Sequence, residues 1–341
     1  MWFFGEKKTN EVHKQVKNIQ SVDVMVPAKL IVSGDHSVIY NSQAVICAVN
    51  IFLNVKIHKI ASQKIIIKDG KNTYQKLLKD FSIEHANDNQ ILEIIRIFFD
   101  TTKIPLRGMK IVIKNNIPIG CGLGSSSALV CGIVFGLNKI FNCRKKIAEL
   151  ISISTQIENI FHGKSSGADI HTVVKGGIIY FNKGKTKKIA HQIDEIWIVD
   201  TGRPSFSTHN VVEYVFDNFA SSNDLWSKIG KLTTDIAKIM PGNEKVKKKI
   251  EQNEKFLEKI GVVTEKTKEF INNLKEQKIY AKICGAGTIA EREVDGGNGI
   301  IGIFQTLTYD QQKYLKTICK NNKMKFKKVY ISNSGIKIFK K

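Results

Sequence analysis

The sequence lacks an apolar run long enough to span a membrane. Its longest one, residues 128–137, is about half of the roughly 20 residues that a transmembrane helix needs. The first eight residues hold too short an apolar block for a signal peptide, and the six cysteines form no Cys-x-x-Cys pair. We therefore expect a cytoplasmic protein with free thiols, and without disulfides, zinc or a membrane partner.

Acidic residues are few relative to basic ones, with 31 Asp and Glu against 53 Lys and Arg, which gives a formal net charge of +22. Such an excess could serve nucleic acid, an acidic membrane or a polyanionic substrate. Most of the cations are lysines spread over many segments, whereas arginine, the better reader of bases, is scarce. The pattern favours a solvated lysine-rich surface, predicts no specific nucleic-acid partner, and helps to attract phosphorylated ligands.

A loop rich in glycine and serine at residues 117–128 is the most informative feature that is present. It follows an alternating β-branched segment, Met109–Asn115, and continues into an apolar segment. Glycine lets backbone amides approach a phosphate, and a helix N-terminus favours negative charge, so the pattern predicts an anion site. The loop has neither the Gly-Lys-Ser/Thr ending of a P-loop nor the dinucleotide glycine spacing. A turn that only caps a core helix is the alternative.

The length of 341 residues predicts two domains. Strands and helices are mixed on both sides of a Lys- and Gly-rich stretch at 182–188, so we predict an α+β chain with domains 1–187 and 188–341. The predicted strands are 22–26, 31–32, 38–39, 44–57, 63–68, 109–115, 175–181 (a turn into a strand), 193–199, 281–284, 300–304 and 328–331. The predicted helices are 87–99, 125–141, 144–161, 208–219, 223–239, 246–260, 263–274 and 310–321.

Three further groups of residues carry chemistry. Lys29 lies inside an apolar strand and is followed by Gly-Asp-His at 34–36, which is an unusual place for charge because a buried ammonium needs a partner. Glu158 ends an apolar helix and Asp169 follows a Ser-Ser-Gly turn, so one acid could hold a divalent cation and the other act as a base. Residues 282–288 form a strand that leads into a second glycine turn. A lysine that reaches solvent, a capped helix start and a plain turn are the respective alternatives.

Together and in this order, these segments resemble the three signature motifs of the GHMP small-molecule kinases, and among them the mevalonate kinases most closely. The second motif, Pro-x-Gly-x-Gly-Leu-Gly-Ser-Ser, is matched in full, and the third only as Gly-Ala-Gly. The matching segments are 27–29 with 34–36, 118–126, Glu158 with 162–169, 200–202 with 207–208, and 285–287.

The resemblance implies a two-domain GHMP kinase fold, with an N-terminal ribosomal-S5-like domain and a C-terminal ferredoxin-like α/β sandwich. It implies that Asp169 is the general base for the acceptor hydroxyl and that Lys29 beside it stabilises the developing alkoxide. Ser126 and Glu158 would hold Mg²⁺ with oxygen ligands. The residues implied to cradle the phosphates of ATP are Gly120, Gly122, Gly124, Ser125, Ser126 and Ser127. Those implied on the acceptor side are Asp35, His36, Thr208, Gly285 and Ala286.

The sequence departs from the family pattern at four places. Asp35 replaces a glutamate and shortens the side chain by one methylene, Ala28 replaces a glycine, and Ser165 replaces a proline. Instead of more glycines, a charged segment at 288–299 follows Gly287. We expect this segment to reshape the acceptor pocket, which affects the identity of the substrate more than the kinase reaction.

We therefore predict an ATP- and Mg²⁺-dependent kinase that converts (R)-mevalonate to 5-phosphomevalonate. Its partner is a small-molecule alcohol, and a homodimer is compatible with the resemblance. Phosphomevalonate or a sugar as acceptor, a decarboxylase of the same superfamily, and a non-catalytic ATP sensor are the alternatives. A sensor would be expected to have lost catalytic residues, yet Lys29, Ser126, Glu158 and Asp169 are all present.

Overall fold

A computed structural model describes residues 19–81, 89–163, 165–191, 195–240, 245–294 and 296–340. The first eight residues, the starts of the predicted helix at 87 and the predicted strand at 193, and Lys164 of the third matched segment lie outside these ranges. Within them, no helix is long and apolar enough to cross a membrane.

The larger sheet is built on two long neighbouring strands whose buried residues face the helices. In the part of the chain described, eight strands join it, in the order β12-β1-β2-β5-β3-β4, and β6 continues from β2 to β7. Among the described strands of this sheet, the β3–β5 pair is parallel and the other pairs are antiparallel. The strands are β1 (Ser21–Ser33), β2 (Ala44–Lys59), β3 (Lys64–Asp69), β4 (Asn72–Leu77), β5 (Met109–Asn115), β6 (Ile178–Asn182), β7 (Lys185–Ile189) and β12 (Lys337–Lys340).

Of the four described helices of the first half, α2 and α4 pack directly on β1 and β2, whereas α1 and α3 pack against α2. Helix α2 comes close because it carries glycines where it faces β2. A methyl group on Gly132 would lie 2.6 Å from Cγ2 of Val55, and one on Gly136 would lie 2.7 Å from Cδ1 of Ile57. The four helices are α1 (Gln90–Thr102), α2 (Ser125–Ile140), α3 (Ile147–His162) and α4 (Ala168–Lys175).

The smaller sheet is antiparallel, with the order β11-β8-β10-β9. Its strands are β8 (Glu195–Asp200), β9 (Ala281–Cys284), β10 (Ile300–Ile303) and β11 (Lys325–Tyr330). Five amphipathic helices belong to the same half of the chain: α5 (Thr208–Phe219), α6 (Asn223–Ile239), α7 (Lys245–Lys259), α8 (Glu265–Glu276) and α9 (Tyr309–Asn321). The α+β fold class is confirmed.

The two halves of the chain share one apolar core. The apolar core of the larger sheet continues into Ile196, Leu232 and Ile300 of the second half. The predicted domain boundary between residues 187 and 188 stays a prediction. The structure places both residues in β7, and it returns the last strand to the first sheet, where β12 pairs with residues 22–25 of β1.

The structure differs locally from the predictions: one predicted strand is wrong, and α4, β4, β7 and β12 were not predicted. The predicted strand at 38–39 is wrong, because these residues belong to a 3₁₀ helix, Ser37–Tyr40, between left-handed backbone at His36 (φ 48°) and Asn41 (φ 60°). Strand β4 was not predicted because all but one of its residues are exposed and its side chains do not alternate between apolar and polar. It is a strand because it pairs along its whole length with β3.

Candidate active site

Lys29 and Asp169 form an ion pair, with Nζ of Lys29 2.9 Å from Oδ2 of Asp169. The lysine lies on β1 and its side chain is 5% exposed, while the aspartate lies in the first turn of α4 and is 31% exposed. The lysine does not reach solvent, so that alternative is wrong. The pair joins a buried cation to a carboxylate that remains open to a ligand.

The glycine loop passes directly over this lysine. The backbone N–H of Lys29 donates to the carbonyl of Leu123 at 3.0 Å. Gly124 precedes α2 with φ at 72°, and a methyl group on it would lie 2.7 Å from Cγ of Lys29. The absence of a side chain therefore lets the helix N-terminus lie against the lysine stem. Gly124 makes no side-chain cap hydrogen bond, and the start of α2 points its backbone N–H groups and its positive dipole end towards the loop.

The three serines at the start of α2 have different surroundings. Nδ2 of Asn115, at the end of β5, donates to Oγ of Ser125 at 3.0 Å. Ser126 is half-buried, and Ser127 is buried and donates to Oε1 of Glu158 at 2.5 Å. The predicted phosphate cradle is thus a real helix start, but the hydroxyl of Ser127 is turned towards the acid on α3.

Glu158 is a buried acid next to the Lys29–Asp169 pair. Its Oε2 accepts a hydrogen bond from Oγ of Ser165 at 3.2 Å, at the position where the family pattern has proline. The pKa of Glu158 is raised to about 7. Burial is the largest cause and the charge of Asp169 acts in the same direction, whereas the hydrogen bonds from Ser127 and Ser165 and the charge of Lys29 act in the opposite direction. The negative charge of the two carboxylates is therefore only partly balanced by Lys29.

Asp35 lies in the joint between the two halves of the chain. It is 1% exposed, its Oδ2 is 2.8 Å from Nζ of Lys282 on β9, and its Oδ1 accepts from the N–H of Gly285 at 2.9 Å. Burial lowers the pKa of Lys282, but Asp35, Cys284 and Glu254 together outweigh this and the pKa lies above its usual value. The structure places Asp35 where it holds the second glycine turn, and not on a surface that faces an acceptor.

His36 is part of the same joint. It is 6% exposed, and its Nε2–H donates to the carbonyl of Ala286 at 2.9 Å. Burial lowers the pKa of the His36 imidazole, although the hydrogen bond to Ala286 and the charge of Asp35 act in the other direction. The residue is thus engaged by the second glycine turn and only its edge is open.

The two glycine turns lie against each other. A methyl group on Gly122 would lie 2.0 Å from the carbonyl oxygen of Cys284, and one on Gly285 would lie 2.9 Å from Cα of Gly122. Both glycines have positive φ, 90° and 104°. The structure therefore brings the first, second and third predicted motifs together around Lys29.

Thr208 is the one predicted site residue at the periphery. It is exposed at the start of α5, whose N-cap Ser207 accepts from the N–H of Asn210. The helix begins beside the turn after α3, because a methyl group on Gly163 would lie 3.4 Å from the ring of His209. Thr208 therefore lies at the edge of the site, and among the described residues it makes no hydrogen bond to Lys29 or Asp169.

Sequence reasoning missed two residues at the site. Arg203 is exposed, and its Nε would lie 3.1 Å from a methyl group on Gly120. Glu254 on α7 is buried, accepts from the N–H of Ile283 at 2.9 Å, and burial raises its pKa to about 8. Arg203 could have been noticed, because the sequence has few arginines and this one directly follows a glycine. Nothing in the helical pattern of α7 indicated Glu254.

Two surface cavities of about 660 and 630 Å³ lie away from the Lys29–Asp169 pair. The first lies between the 3₁₀ helix and α6, and the second lies beside α3 and α4. Neither is lined by the pair or by residues of the glycine loop, so cavity size does not mark this site. Its features are the convergent charges and the N-terminus of α2.

Comparison with known proteins agrees with this geometry. The GHMP kinases N terminal domain matches residues 89–177. These residues include the glycine loop, α2, Glu158 and Asp169. The chain carries a GHMP kinase domain.

Similarity to known kinases extends over most of the chain, beyond residues 89–177. A mevalonate kinase from Archaeoglobus fulgidus is 26% identical over 282 residues, which are 82% of this chain and 91% of the relative. The crystal structure of the Methanococcus jannaschii mevalonate kinase superposes with a TM-score of 0.77 at 23% identity, covering 91% and 98% of the two chains. The chain is therefore a small-molecule kinase of the GHMP type, and the predicted GHMP kinase fold is confirmed.

A third likeness concerns a protein solved with its ligands. Streptococcus pneumoniae phosphomevalonate kinase in complex with phosphomevalonate and AMPPNP has a TM-score of 0.70 at 17% identity, covering 90% of this chain and 99% of that one. At such identity the likeness shows the fold alone. It shows that kinases with different acceptors share this architecture, so the acceptor must be argued from the site.

Proposed function

We propose that this GHMP kinase transfers the γ-phosphoryl group of ATP to the hydroxyl of (R)-mevalonate and forms 5-phosphomevalonate. The observation that carries the proposal is the 2.9 Å contact between Lys29 and Asp169 at the end of the glycine loop. Relatives named mevalonate kinase, each 24–26% identical over about three quarters or more of the chain, support the choice of acceptor.

Asp169 acts as the general base in this proposal. Its carboxylate accepts the proton of the acceptor hydroxyl as that oxygen attacks the γ-phosphorus, and the bond to the departing ADP oxygen breaks. The ammonium of Lys29 stabilises the negative charge that develops on the attacking oxygen. Because Lys29 is held by the loop through its backbone and its stem, the pair needs little reorganisation during the reaction.

The N-terminus of α2 is proposed to hold the phosphates. Backbone N–H groups of residues 120–127 and the helix dipole provide positive potential without a mobile side chain. Arg203, beside Gly120, adds a guanidinium at the other end of the loop.

Glu158 and Ser126 are proposed to hold Mg²⁺. The fit rests on chemistry seen in the structure, because a buried carboxylate with a raised pKa next to a second carboxylate is a place that a divalent cation would neutralise. Among the described residues, no group of three or more His, Cys, Asp or Glu side chains is arranged to hold a metal ion. A small ligand set suits Mg²⁺, which keeps waters and uses substrate phosphates. When bound, it would neutralise charge on the transferred group.

The proposal extends to the organisation of the chain. We propose that residues 1–187 form a nucleotide-binding domain and that residues 188–341 complete the acceptor side, since the second glycine turn reaches the first across the joint. A cytoplasmic location is supported by six cysteines, all of them free.

The test is a coupled ADP-release assay with mevalonate, phosphomevalonate, homoserine and simple sugars as acceptors. We expect turnover with (R)-mevalonate in preference to the others. Asp169→Asn should lower kcat by about 10²–10⁴-fold because the base is lost, while ATP binding measured by calorimetry stays within a few fold.

The matched control is Asp224→Asn, since the Asp224 side chain is 80% exposed and pairs only with a surface lysine. It should leave kcat unchanged. Turnover of another acceptor but not mevalonate would refute the substrate, and full activity of Asp169→Asn would refute the mechanism.

A further inference from the structure

In the charged segment where the chain departs from the family pattern, residues 288–294 and 296–299 form a strap centred on Glu293. The carboxylate of Glu293 accepts four hydrogen bonds. The backbone N–H of Ser205 donates to Oε2 at 3.0 Å and its hydroxyl to Oε1 at 2.6 Å. Thr288 donates its hydroxyl to Oε2, and the N–H of Gly296 donates to Oε1 at 2.8 Å.

The strap is also tied to residues 201–203 through its backbone. The N–H of Gly297 donates to the carbonyl of Arg203 at 3.2 Å, and that of Gly299 to the carbonyl of Gly202 at 2.9 Å. Thr201 completes this contact, since its N–H and its hydroxyl both donate to the carbonyl of Gly299 at 2.9 Å. Residues 201–205 are therefore held along one side by the strap.

The far end of the strap is anchored in the second half of the chain. Asn298 is buried; its Nδ2 donates to the carbonyl of Val262 at 2.7 Å, and its Oδ1 accepts from the N–H of Thr264 at 2.9 Å. A polar side chain that is buried and fully engaged gives the strap a fixed attachment. The segment 201–205 is thus joined through the strap to the packed core.

Arg203 is the side chain that this arrangement places at the glycine loop. Its guanidinium lies beside Gly120, it is exposed, and it has no ion-pair partner within the ranges that the structure describes. An arginine offers a planar fork of donors that matches a carboxylate or a phosphate. With its backbone held on both sides, at Gly202 and at Ser205, the fork is directed towards the loop.

We propose that Glu293 is a positioning residue that holds Arg203 in place to bind an anionic oxygen group beside Gly120. The proposal rests on the proposed function, which supplies two sources for such a group, the phosphates of the nucleotide and the acid group of the acceptor. The carboxylate suits this role at neutral pH: burial alone raises the pKa of Glu293, but hydrogen bonds from Ser205, Thr288 and Gly296 outweigh it, and the pKa is below its usual value.

Glu293→Gln is a discriminating test because the hydrogen-bond donors are divided between the two oxygens of the carboxylate. Each carboxylate oxygen receives one backbone N–H, from Ser205 on Oε2 and from Gly296 on Oε1. An amide has one oxygen and one NH₂, so in either orientation one backbone N–H faces a donor and loses its partner. The matched control is Glu291→Gln, because Glu291 lies in the same strap, is 61% exposed and contacts only Arg292, at 3.6 Å.

Steady-state kinetics give the first readout. We expect Glu293→Gln to raise the KM of one substrate about tenfold with kcat changed less than twofold, and Glu291→Gln to change neither. A raised KM for ATP assigns the anion to the nucleotide, and a raised KM for the acceptor assigns it to the acid group. In an Arg203→Gln background, Glu293→Gln should add nothing further, since the two act together. Unchanged KM values, or additive effects, would overturn the proposal.

Hydrogen exchange without substrates gives a readout that does not depend on activity. Amides in the peptide 200–207 should exchange at least tenfold faster in Glu293→Gln than in the wild type or in Glu291→Gln, while α2 and its loop stay unchanged. Equal exchange in all three proteins would refute the positioning role. A wild type that turns over no acceptor would refute the proposed function instead, and the exchange result would still decide whether Glu293 holds residues 201–205.

Discussion

Glu158 and Asp169 are two carboxylic acids at one site with different surroundings. The side chain of Asp169 is 31% exposed and pairs with Lys29, whereas Glu158 is buried and accepts only neutral serine hydroxyls. An acid that is paired with a cation stays ionised and can take a proton, while a buried acid retains its proton until a cation displaces it. The difference favours Asp169 as the base and Glu158 as the residue that meets the metal.

A pH dependence of magnesium affinity follows from the raised pKa of Glu158, about 7. The folded protein keeps this proton at pH values where the unfolded chain has lost it, so ionising Glu158 lowers stability as pH rises from about 4.5 to about 7. Mg²⁺ needs the ionised form. We therefore expect the apparent Mg²⁺ affinity to rise about fivefold from pH 6 to pH 7 and to level off above about pH 8, measured by Mg²⁺ titration of the activity.

Two variants test the assignment to this carboxyl group. Glu158→Gln should lose both the affinity and its pH dependence, because an amide neither ionises nor binds Mg²⁺ well. Glu149→Gln is the control, since Glu149 lies in the first turn of the same helix, α3, at its N-terminus. The same pH profile in wild type and Glu158→Gln would show that another group is responsible.

At the scale of elements, the start of α2 can lie against β1 because Gly124 has no side chain. The helix cannot begin there without positive φ, and it cannot lie on the stem of Lys29 if a Cβ is present. The two requirements coincide at one residue. The site therefore depends on this residue through geometry, although glycine contributes no chemical group.

Gly124→Ala should reduce kcat about 10²-fold because the methyl group displaces Lys29 from Asp169. The control is Gly70→Ala, since Gly70 also has positive φ, 58°, but a methyl group there would meet nothing within 4 Å. Both variants should lose about 1 kcal/mol of stability from backbone strain, measured by urea unfolding. Only Gly124→Ala should lose activity, and equal activity of the two variants would contradict the proposed importance of the Lys29 contact.

Elements whose pattern is set locally were predictable from the sequence. Helices α5 and α6 were predicted with the bounds that the structure gives, since their apolar periodicity and the serines before them are local signals. The segment Ser37–Tyr40 was not, because its strand-like composition is overruled by turns at His36 and Asn41. Strand β4 forms because it pairs with β3, and its own side chains carry no pattern that predicts a strand.

At the scale of the whole molecule, the two halves meet around a buried ion pair. Asp35 follows β1 and Lys282 lies on β9, and both are almost fully buried. Glu254 lies close enough to influence the pKa of Lys282. This pair joins two sheets whose strands are separated by about 250 positions in the chain, so it connects the glycine loop side of the site to the second glycine turn.

Lys282→Met should destabilise the protein by about 3–5 kcal/mol, because it leaves the charge of Asp35 buried without a partner. Lys228→Met is the control, since the Lys228–Asp224 pair on α6 is 60% and 80% exposed and should contribute about 0–1 kcal/mol. Chemical unfolding at neutral pH measures both. A loss below 1 kcal/mol for Lys282→Met would show that the ion pair does not hold the two halves together.

Long-range pairing is also the reason that part of the site was not predictable. Lys29 and Asp169 were predicted to meet because of the family motifs around them, and they do. The engagement of Asp35 by Lys282 and of Ser205 by Glu293 joins distant segments, and no local pattern indicates it. Arg203 is significant only because the fold places it beside Gly120.

The return of β12 to the first sheet has a consequence for how the chain is made. Residues 337–340 supply the neighbour of residues 22–25, at the beginning of the strand that carries Lys29. During synthesis on the ribosome, this edge of β1 stays uncovered until residues 337–340 have been made. A nascent chain is therefore expected to expose an unpaired strand edge until β12 emerges, and its active-site strand gains its outer neighbour only then.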